Sequence, residues 1–321
     1  MTEEEAITAF ADLVFPYSTR RFREVEEQGL KMAHYTTAES AALILKNRTL
    51  WLRNAQLMND SSEVAHGSAC LEAALHAGLG LRLENALNAS HPGLFKAVAE
   101  RVSAVDAQTR LQTYISSLSA HEPNNMLGRL SMWRAYGGQT AGVALIFNTE
   151  MFSIDSARLG IYSSPISYGT SDDLAVHLME VIENIEKNKE ILDNVPFESA
   201  KNILFNVLQF AALSHKHPAF EEEQEWRIIH SPLTEATAFI STSIQTVRGI
   251  PQMVCEIPLR DQPGLNAPWM NLDRLLDRII IGPCAYPLQV AWAFREILRE
   301  LGVPNPDSRV SIASIPLRQQ G

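Results

Sequence analysis

Cysteine is scarce in this chain of 321 residues: Cys70, Cys255 and Cys284 are the whole complement. They are widely spaced, odd in number and form no CxxC pair, which argues against a disulfide-built scaffold and a cysteine zinc site. Long apolar runs are missing too. No stretch approaches the ~20 uninterrupted apolar residues that a membrane-spanning helix needs, so no membrane partner is expected. The opening MTEEEAITAF lacks the basic-then-apolar order of a signal peptide, and the expected address is the cytoplasm. Basic residues are in deficit, 27 against 37 acidic ones, for a net charge of −10. A global grip on nucleic acid rests on clustered Lys and Arg and is not expected, which leaves only a local basic pocket. Also absent are GxGxxG after a strand, GxxxxGK[ST], GxSxG and HExxH. Their absence disfavours a Rossmann-type hydride-transfer enzyme, a P-loop NTPase, an α/β-hydrolase and a zincin.

What is present is a folding composition, 46% hydrophobic and 20% charged, far from the signature of disorder. Apolar spacing predicts helices over 3–14, from 59 onward, 93–111, 172–193, 197–214 and 288–301. Thr36 to Glu39 fits a capping box that opens a further helix. Short strands are expected at Met32–Tyr35, Leu50–Leu52, Thr113–Ser119, Gly142–Phe147, Ile161–Tyr168, Trp226–His230, Met253–Ile257, Arg278–Ile281 and near 309–315. Helices interleaved irregularly with short strands favour α+β over a doubly wound sheet. No linker rich in Pro, Gly or Ser divides the chain. The expected organisation is a helical extension over 1–31 and a single α+β domain over 32–321.

Four constellations have the residue types for chemistry. In Ala33-His34-Tyr35-Thr36-Thr37, a strand ends in histidine and a hydroxyl residue opens a helix. That arrangement offers an imidazole and a hydroxyl to a ribose and a helix N-terminus to a pyrophosphate; from the local pattern alone, an ordinary cap beside a half-buried histidine is the commoner reading. Asn59, Asp60 and Glu63 either cap a helix or shape a pocket floor. Ser117 and Ser119 share a strand face and suggest a polar cavity wall, because unpaired serines are costly in an apolar core. Trp133 and Tyr136, three apart on a presumed helix, form one aromatic surface, either core or a platform for a base or nicotinamide ring. In the acidic run Glu221–Glu225, strand alternation puts Glu223, Glu225 and Arg227 on one face. One carboxylate there can stabilise an oxocarbenium-like cation while the other accepts a proton, with Arg227 orienting Glu225. His215 and His217 form an HxH pair with no evident partner cluster; the pair reads as a polar turn before Pro218, and no metal is expected.

Together these segments resemble the DUF2971 family. The resemblance rests on His34-Tyr35-Thr36, Leu45–Leu50, Met58–Glu63, Ser117-Leu118-Ser119, Met132–Gly137 with Gly142, Glu223–Arg227 and Ile279–Pro283, in that order. More distantly, a His-bearing first strand, a Ser-bearing middle strand and a late Glu-x-Glu are similar to the ADP-ribosyltransferase superfamily. That likeness implies a split β core of short strands with helical insertions, and NAD as substrate. It implies that His34, with Tyr35 and Thr36 beside it, meets the nicotinamide ribose, that Ser117 or Ser119 shapes the nicotinamide pocket, that Glu225 is catalytic and that Glu223 is its acceptor-side partner. The chain lacks a clean Ser-Thr-Ser triplet, so Tyr136 or Tyr162 can stand for the middle element, and Glu221 with Glu223 is another Glu-x-Glu.

The expected activity is therefore cleavage of the nicotinamide–ribose bond and transfer of ADP-ribose to a protein or nucleic-acid acceptor. Bacterial toxins and anti-phage effectors use this chemistry, and such a toxin needs a neutralising partner protein. Two rivals come from other classes. One is a binding module for a nucleotide or nucleic-acid end that performs no chemistry. The other is a nuclease that holds Mg²⁺ with Asp60, Glu63 and the Glu221–Glu225 run.

Overall fold

A computed structural model describes residues 1–57, 61–138, 141–152, 159–232, 237–247 and 249–316. In chain order its elements are α1 (Glu3–Val14), α2 (Pro16–Glu27), β1 (Lys31–Thr37), α3 (Ala38–Asn47), β2 (Thr49–Asn54), α4 (Ser61–Ala74), α5 (Gly80–Asn88), α6 (Leu94–Leu111), β3 (Tyr114–His121), α7 (Leu130–Tyr136), β4 (Gly142–Phe147) and β5 (Tyr162–Pro165). There follow β6 (Ser167–Tyr168), α8 (Ser171–Lys187), α9 (Lys189–Asp193), α10 (Phe197–Leu213), β7 (His215–Lys216), β8 (Glu225–His230), β9 (Ser241–Val247), β10 (Ile250–Pro258), α11 (Leu272–Leu275), β11 (Leu276–Ile281), α12 (Pro287–Glu300) and β12 (Val310–Ile312). No described helix is long and apolar enough to cross a membrane.

Local chemistry accounts for most of these boundaries and for the departures from expectation. Thr2 and Glu5 form a reciprocal capping box at the start of α1. α2 starts at Pro16, where a missing amide costs nothing, so Arg20, Arg21 and Arg23 lie inside the helix. The cap of α3 is Thr37, whose hydroxyl accepts from the Ser40 amide; the predicted box at Thr36 is one residue early. The expected strand over Ile161–Tyr168 is two strands that pair in different sheets. α5 and β9 have no counterpart in the prediction. β9 is largely exposed, so it has no buried apolar row to betray it.

The expectation for the chain was an extension followed by one domain. The chain instead divides into two compact units: Met1–Glu24, Ala55–Leu111 and Ser164–Glu221 in the first, and Val25–Asn54, Gln112–Ser163 and Glu222–Gly321 in the second. The first is mainly helical. Its core gathers Phe10 and Val14 of α1, Leu83 and Leu87 of α5, Leu94 and Val98 of α6, Leu178, Ile182 and Ile185 of α8, and Leu204 of α10. The short parallel pair β6–β7 belongs to it.

The second unit is built on a mixed sheet in the order β12-β11-β4-β1-β3-β2-β10-β9, with β8 beside β3 and β5 beside β8. β11 and β12 run parallel; the other registered pairs are antiparallel. The pairing of β3 has one irregularity. Along one edge, β3 pairs continuously with β8 from Tyr114 to Ser119. Along its other edge it pairs with β2 at Tyr114 and Ile115 and with β1 from Ser119 to His121. Ser116, Ser117 and Leu118 therefore face a gap where β1 and β2 splay apart.

Candidate functional site

Register decides which side chains share a face. Ser117 lies opposite Arg227, and Ser119 opposite both Glu225 and Ala33. Directly opposed residues of an antiparallel pair project to the same side, as do residues two apart on one strand. One face of the sheet therefore carries Ala33 and Tyr35, Ser117 and Ser119, and Glu225 and Arg227. Arg53, opposite Ile115, puts itself and Trp51 on the same face. Glu256, opposite Trp51, and Ser241, opposite Glu256, continue it.

At the centre of this face the Ser117 hydroxyl donates to Glu225 Oε1 over 2.6 Å. Arg227 Nε donates to the same oxygen at 2.9 Å, and Arg227 Nη2 reaches Oε2 at 3.4 Å. Arg227 is thus bonded to the carboxylate that strand alternation places beside it. Glu225 and Arg227 are each 5% exposed, so the pair is held away from solvent, where a charge-assisted bond gains strength and a lost partner costs most. The Ser119 hydroxyl, buried on the same face, has no hydrogen-bond partner among the described residues. Such a group is costly unless something meets it.

His34 reaches this centre from a different direction. The pleat turns it away from Ala33 and Tyr35, and its Nδ1 sits 3.1 Å from the Ser117 carbonyl oxygen. A carbonyl requires a donor, so Nδ1 carries the proton. Burial lowers the His34 pKa, so the ring is neutral at pH 7 and Nε2 is its acceptor nitrogen. Ser117 is therefore engaged twice, through its carbonyl by His34 and through its hydroxyl by Glu225.

Other expected site residues have different work. Trp133 is 5% exposed. Its indole N–H donates to the Leu127 carbonyl, and its ring meets Tyr35 edge-on at 4.8 Å. A β-carbon at Gly128 or Gly282 would come within 2.8 or 2.7 Å of that ring, and one at Gly142 within 3.2 Å. Trp133 is a core anchor seated among glycines and offers no platform to a ligand. Tyr136 is half-buried against the same cluster. Tyr35 is buried, and its hydroxyl accepts from the Arg129 amide; burial raises its pKa. Thr36 is half-buried in β1 opposite Val143. Glu223 does not extend the strand face, because Gln224 has φ 46° and the left-handed residue breaks the alternation. The Glu223 carbonyl accepts from Arg129 instead. Asn59 and Asp60 lie outside the described residues, and Glu63 enters only as a backbone position of α4.

The face also holds residues that the sequence reading did not single out. Trp51, Thr49, Asn47, Ser241, Glu256 and Arg260 line a cavity of about 280 Å³. Ser243 donates to Glu256. Trp51 stands two residues before Arg53, the last β2 residue that pairs with β3 on this side, and so lies on the part of β2 that borders the gap. Trp51 is half-buried. The alternation Thr49, Trp51, Arg53 carries this signal, but the apolar triplet Leu50-Trp51-Leu52 masks it.

Residues 132–228 match the family described as a protein of unknown function, DUF2971. The matched stretch is shorter than the resemblance traced over 32–283. It runs from α7 into β8 and so contains Trp133, Glu225 and Arg227, but neither His34 nor Ser117. No curated protein and no solved structure matches the chain.

Proposed function

We propose that the second unit takes an NAD-type dinucleotide along its polar sheet face, at the gap between β1 and β2, and that Glu225 acts on the nicotinamide–ribose bond as in an ADP-ribosyltransferase. The observation that carries this reading is the meeting of β3 and β8 at Ser117, Glu225 and Arg227, beside a stretch of β3 edge that no strand pairs among the described residues. In this reaction the C–N glycosidic bond breaks and its electron pair leaves with nicotinamide. The ribosyl cation that develops is stabilised by the Glu225 carboxylate, which Arg227 and Ser117 hold in a fixed orientation. An acceptor nucleophile then attacks the ribosyl carbon and loses its proton to a base. Trp51 provides the stacking surface, and the unmet Ser119 hydroxyl a hydrogen-bonding group for the ligand. The acceptor, protein or nucleic acid, is left to the experiment, as is a toxin or defence role.

Purified protein incubated with NAD⁺ and cell extract tests the reading through nicotinamide release and label transfer. Glu225→Gln keeps the shape of the side chain and is expected to cut turnover by about 10²–10⁴-fold. Equal activity in variant and parent removes Glu225 from the chemistry. One observation favours a second reading, a binding module without turnover: Glu225 is nearly enclosed and its oxygens are held by Ser117 and Arg227. Saturable NAD⁺ binding without nicotinamide release in any extract decides for it.

A further inference from the structure

The first unit contains a cluster for which the dinucleotide reading has no use. α4 presents His66 and Cys70, four residues apart and therefore on one helix face. β7 presents His215. The ligand-type atoms of these three side chains all lie within 4.8 Å of one another. Cys70 Sγ is 3.6 Å from His66 Nε2. The His66 and His215 rings are nearly parallel, at 8°, with centroids 5.6 Å apart. His217 meets the His66 ring edge-on at 5.7 Å. Cys70 and His215 are buried, His66 is half-buried and His217 is exposed, so the cluster opens to solvent on one side. The partners that the HxH pair lacks in the sequence come from a helix about 150 residues earlier in the chain.

We infer that His66, Cys70 and His215 bind a tetrahedral cation of the Zn²⁺ class, with His217 closing the fourth position. A tetrahedral ion with nitrogen and sulfur ligands at its usual bond lengths separates those ligand atoms by about 3.5 Å, close to the spacing of His66 and Cys70. Imidazole and thiolate donors select zinc and its softer neighbours over magnesium or calcium. The His215 ring nitrogens bond the Ser167 hydroxyl at 2.9 Å and the Thr170 carbonyl at 3.1 Å, and His66 Nε2 bonds the Gly169 carbonyl at 3.2 Å. An ion displaces one bond at each ring that it joins, and the bond kept at His215 is of the kind that orients metal-bound imidazoles. The Lys216 ammonium lies over the Phe220 ring at 4.8 Å, engaged with that ring. Gly67 supplies the close approach: a β-carbon there would drive into the Ala212 carbonyl and press on that of His215. A helix glycine beside His66 thus lets α4 touch the chain segment that bears His215. Thiolate is the ligand form of cysteine, so binding passes the Cys70 thiol proton to solvent, one proton per ion.

The test uses the full chain, stripped with chelator and titrated with Co²⁺ as a spectroscopic stand-in for Zn²⁺. One Co²⁺ per chain is expected, with a thiolate-to-cobalt charge-transfer band and the strong visible absorption of tetrahedral cobalt, both abolished by added Zn²⁺. Cys70→Ser is expected to lose the charge-transfer band. His66→Gln and His217→Gln are each expected to weaken Co²⁺ binding at least tenfold, and both lie at the accessible side of the cluster, where folding is least at risk. A parent protein that binds no Co²⁺ stoichiometrically overturns the proposal, as does an unchanged band in Cys70→Ser or unchanged affinity in both histidine variants. The site is independent of NAD chemistry, so either proposal can fail alone.

Discussion

The Ser117 hydroxyl and the Glu225 carboxylate meet across β3 and β8 at 2.6 Å, although 108 positions separate them in the chain. The contact follows from register: Ser119 stands opposite Glu225 and Ser117 opposite Arg227, so one short pleated face gathers a hydroxyl, a carboxylate and a guanidinium.

Removing the guanidinium takes from the buried carboxylate the counter-ion that Arg227 provides. Arg227→Met is expected to destabilise the protein by about 3–5 kcal/mol. Glu225→Leu combined with Arg227→Met is expected to cost less than Arg227→Met alone, because neither charge is then stranded. Urea unfolding of the two variants and the parent at pH 7 checks this. A loss below about 1 kcal/mol in Arg227→Met, the value typical of an exposed pair, contradicts the enclosed geometry.

Trp133 depends on the absence of side chains around it. Gly282→Ala is expected to cost about 1–3 kcal/mol by overpacking against the indole. Trp133→Ala is expected to cost about 3–5 kcal/mol through the cavity it leaves. Thermal unfolding separates these from a ligand-platform role, which predicts weaker nucleotide binding at unchanged stability.

Mild acid is expected to weaken the fold through its buried histidines. Burial lowers the pKa of His34, His121 and His177 below the ordinary 6.5. A histidine held neutral when folded takes up a proton more readily when unfolded. Its stabilisation is therefore complete above pH 6.5 and is lost progressively as pH falls through that value toward the folded pKa. Stability measured from pH 8 to pH 5 should be flat and then decline, and His34→Gln should shallow the decline. A stability that rises over the same interval reverses the sign and refutes the assignment.

If a nicotinamide or adenine ring stacks on Trp51, Trp51→Ala is expected to weaken nucleotide binding by about 1–3 kcal/mol, while Trp133→Phe leaves it nearly unchanged. Calorimetric titration with NAD⁺ and ADP-ribose reads the difference. Equal affinity in Trp51→Ala and the parent removes this residue from the ligand surface.

The sequence made the strands legible wherever one face is buried. β4 follows its prediction at both ends, and the Glu225–Arg227 pairing follows from alternation within β8. Tertiary relationships were not legible. The splaying of β1 and β2 depends on where each strand leaves β3, and local pattern carries no trace of it. Trp133 and Tyr136 look alike on a helical projection, yet glycines from distant segments decide that Trp133 is core. Gln224 reads as an ordinary strand residue, and its backbone turn is what separates Glu223 from Glu225. His66 and Cys70 gain meaning only when α4 lies against β7.

The glycine seat of Trp133 has an evolutionary corollary. Gly128, Gly142 and Gly282 come from three separate segments but serve one indole, so they are free to drift only as a set. A relative that keeps tryptophan at this position should keep all three small. One that replaces it with a slighter residue should show compensating enlargement at one or more of them, and that coupled variation would mark the seat in sequences too diverged to align by eye.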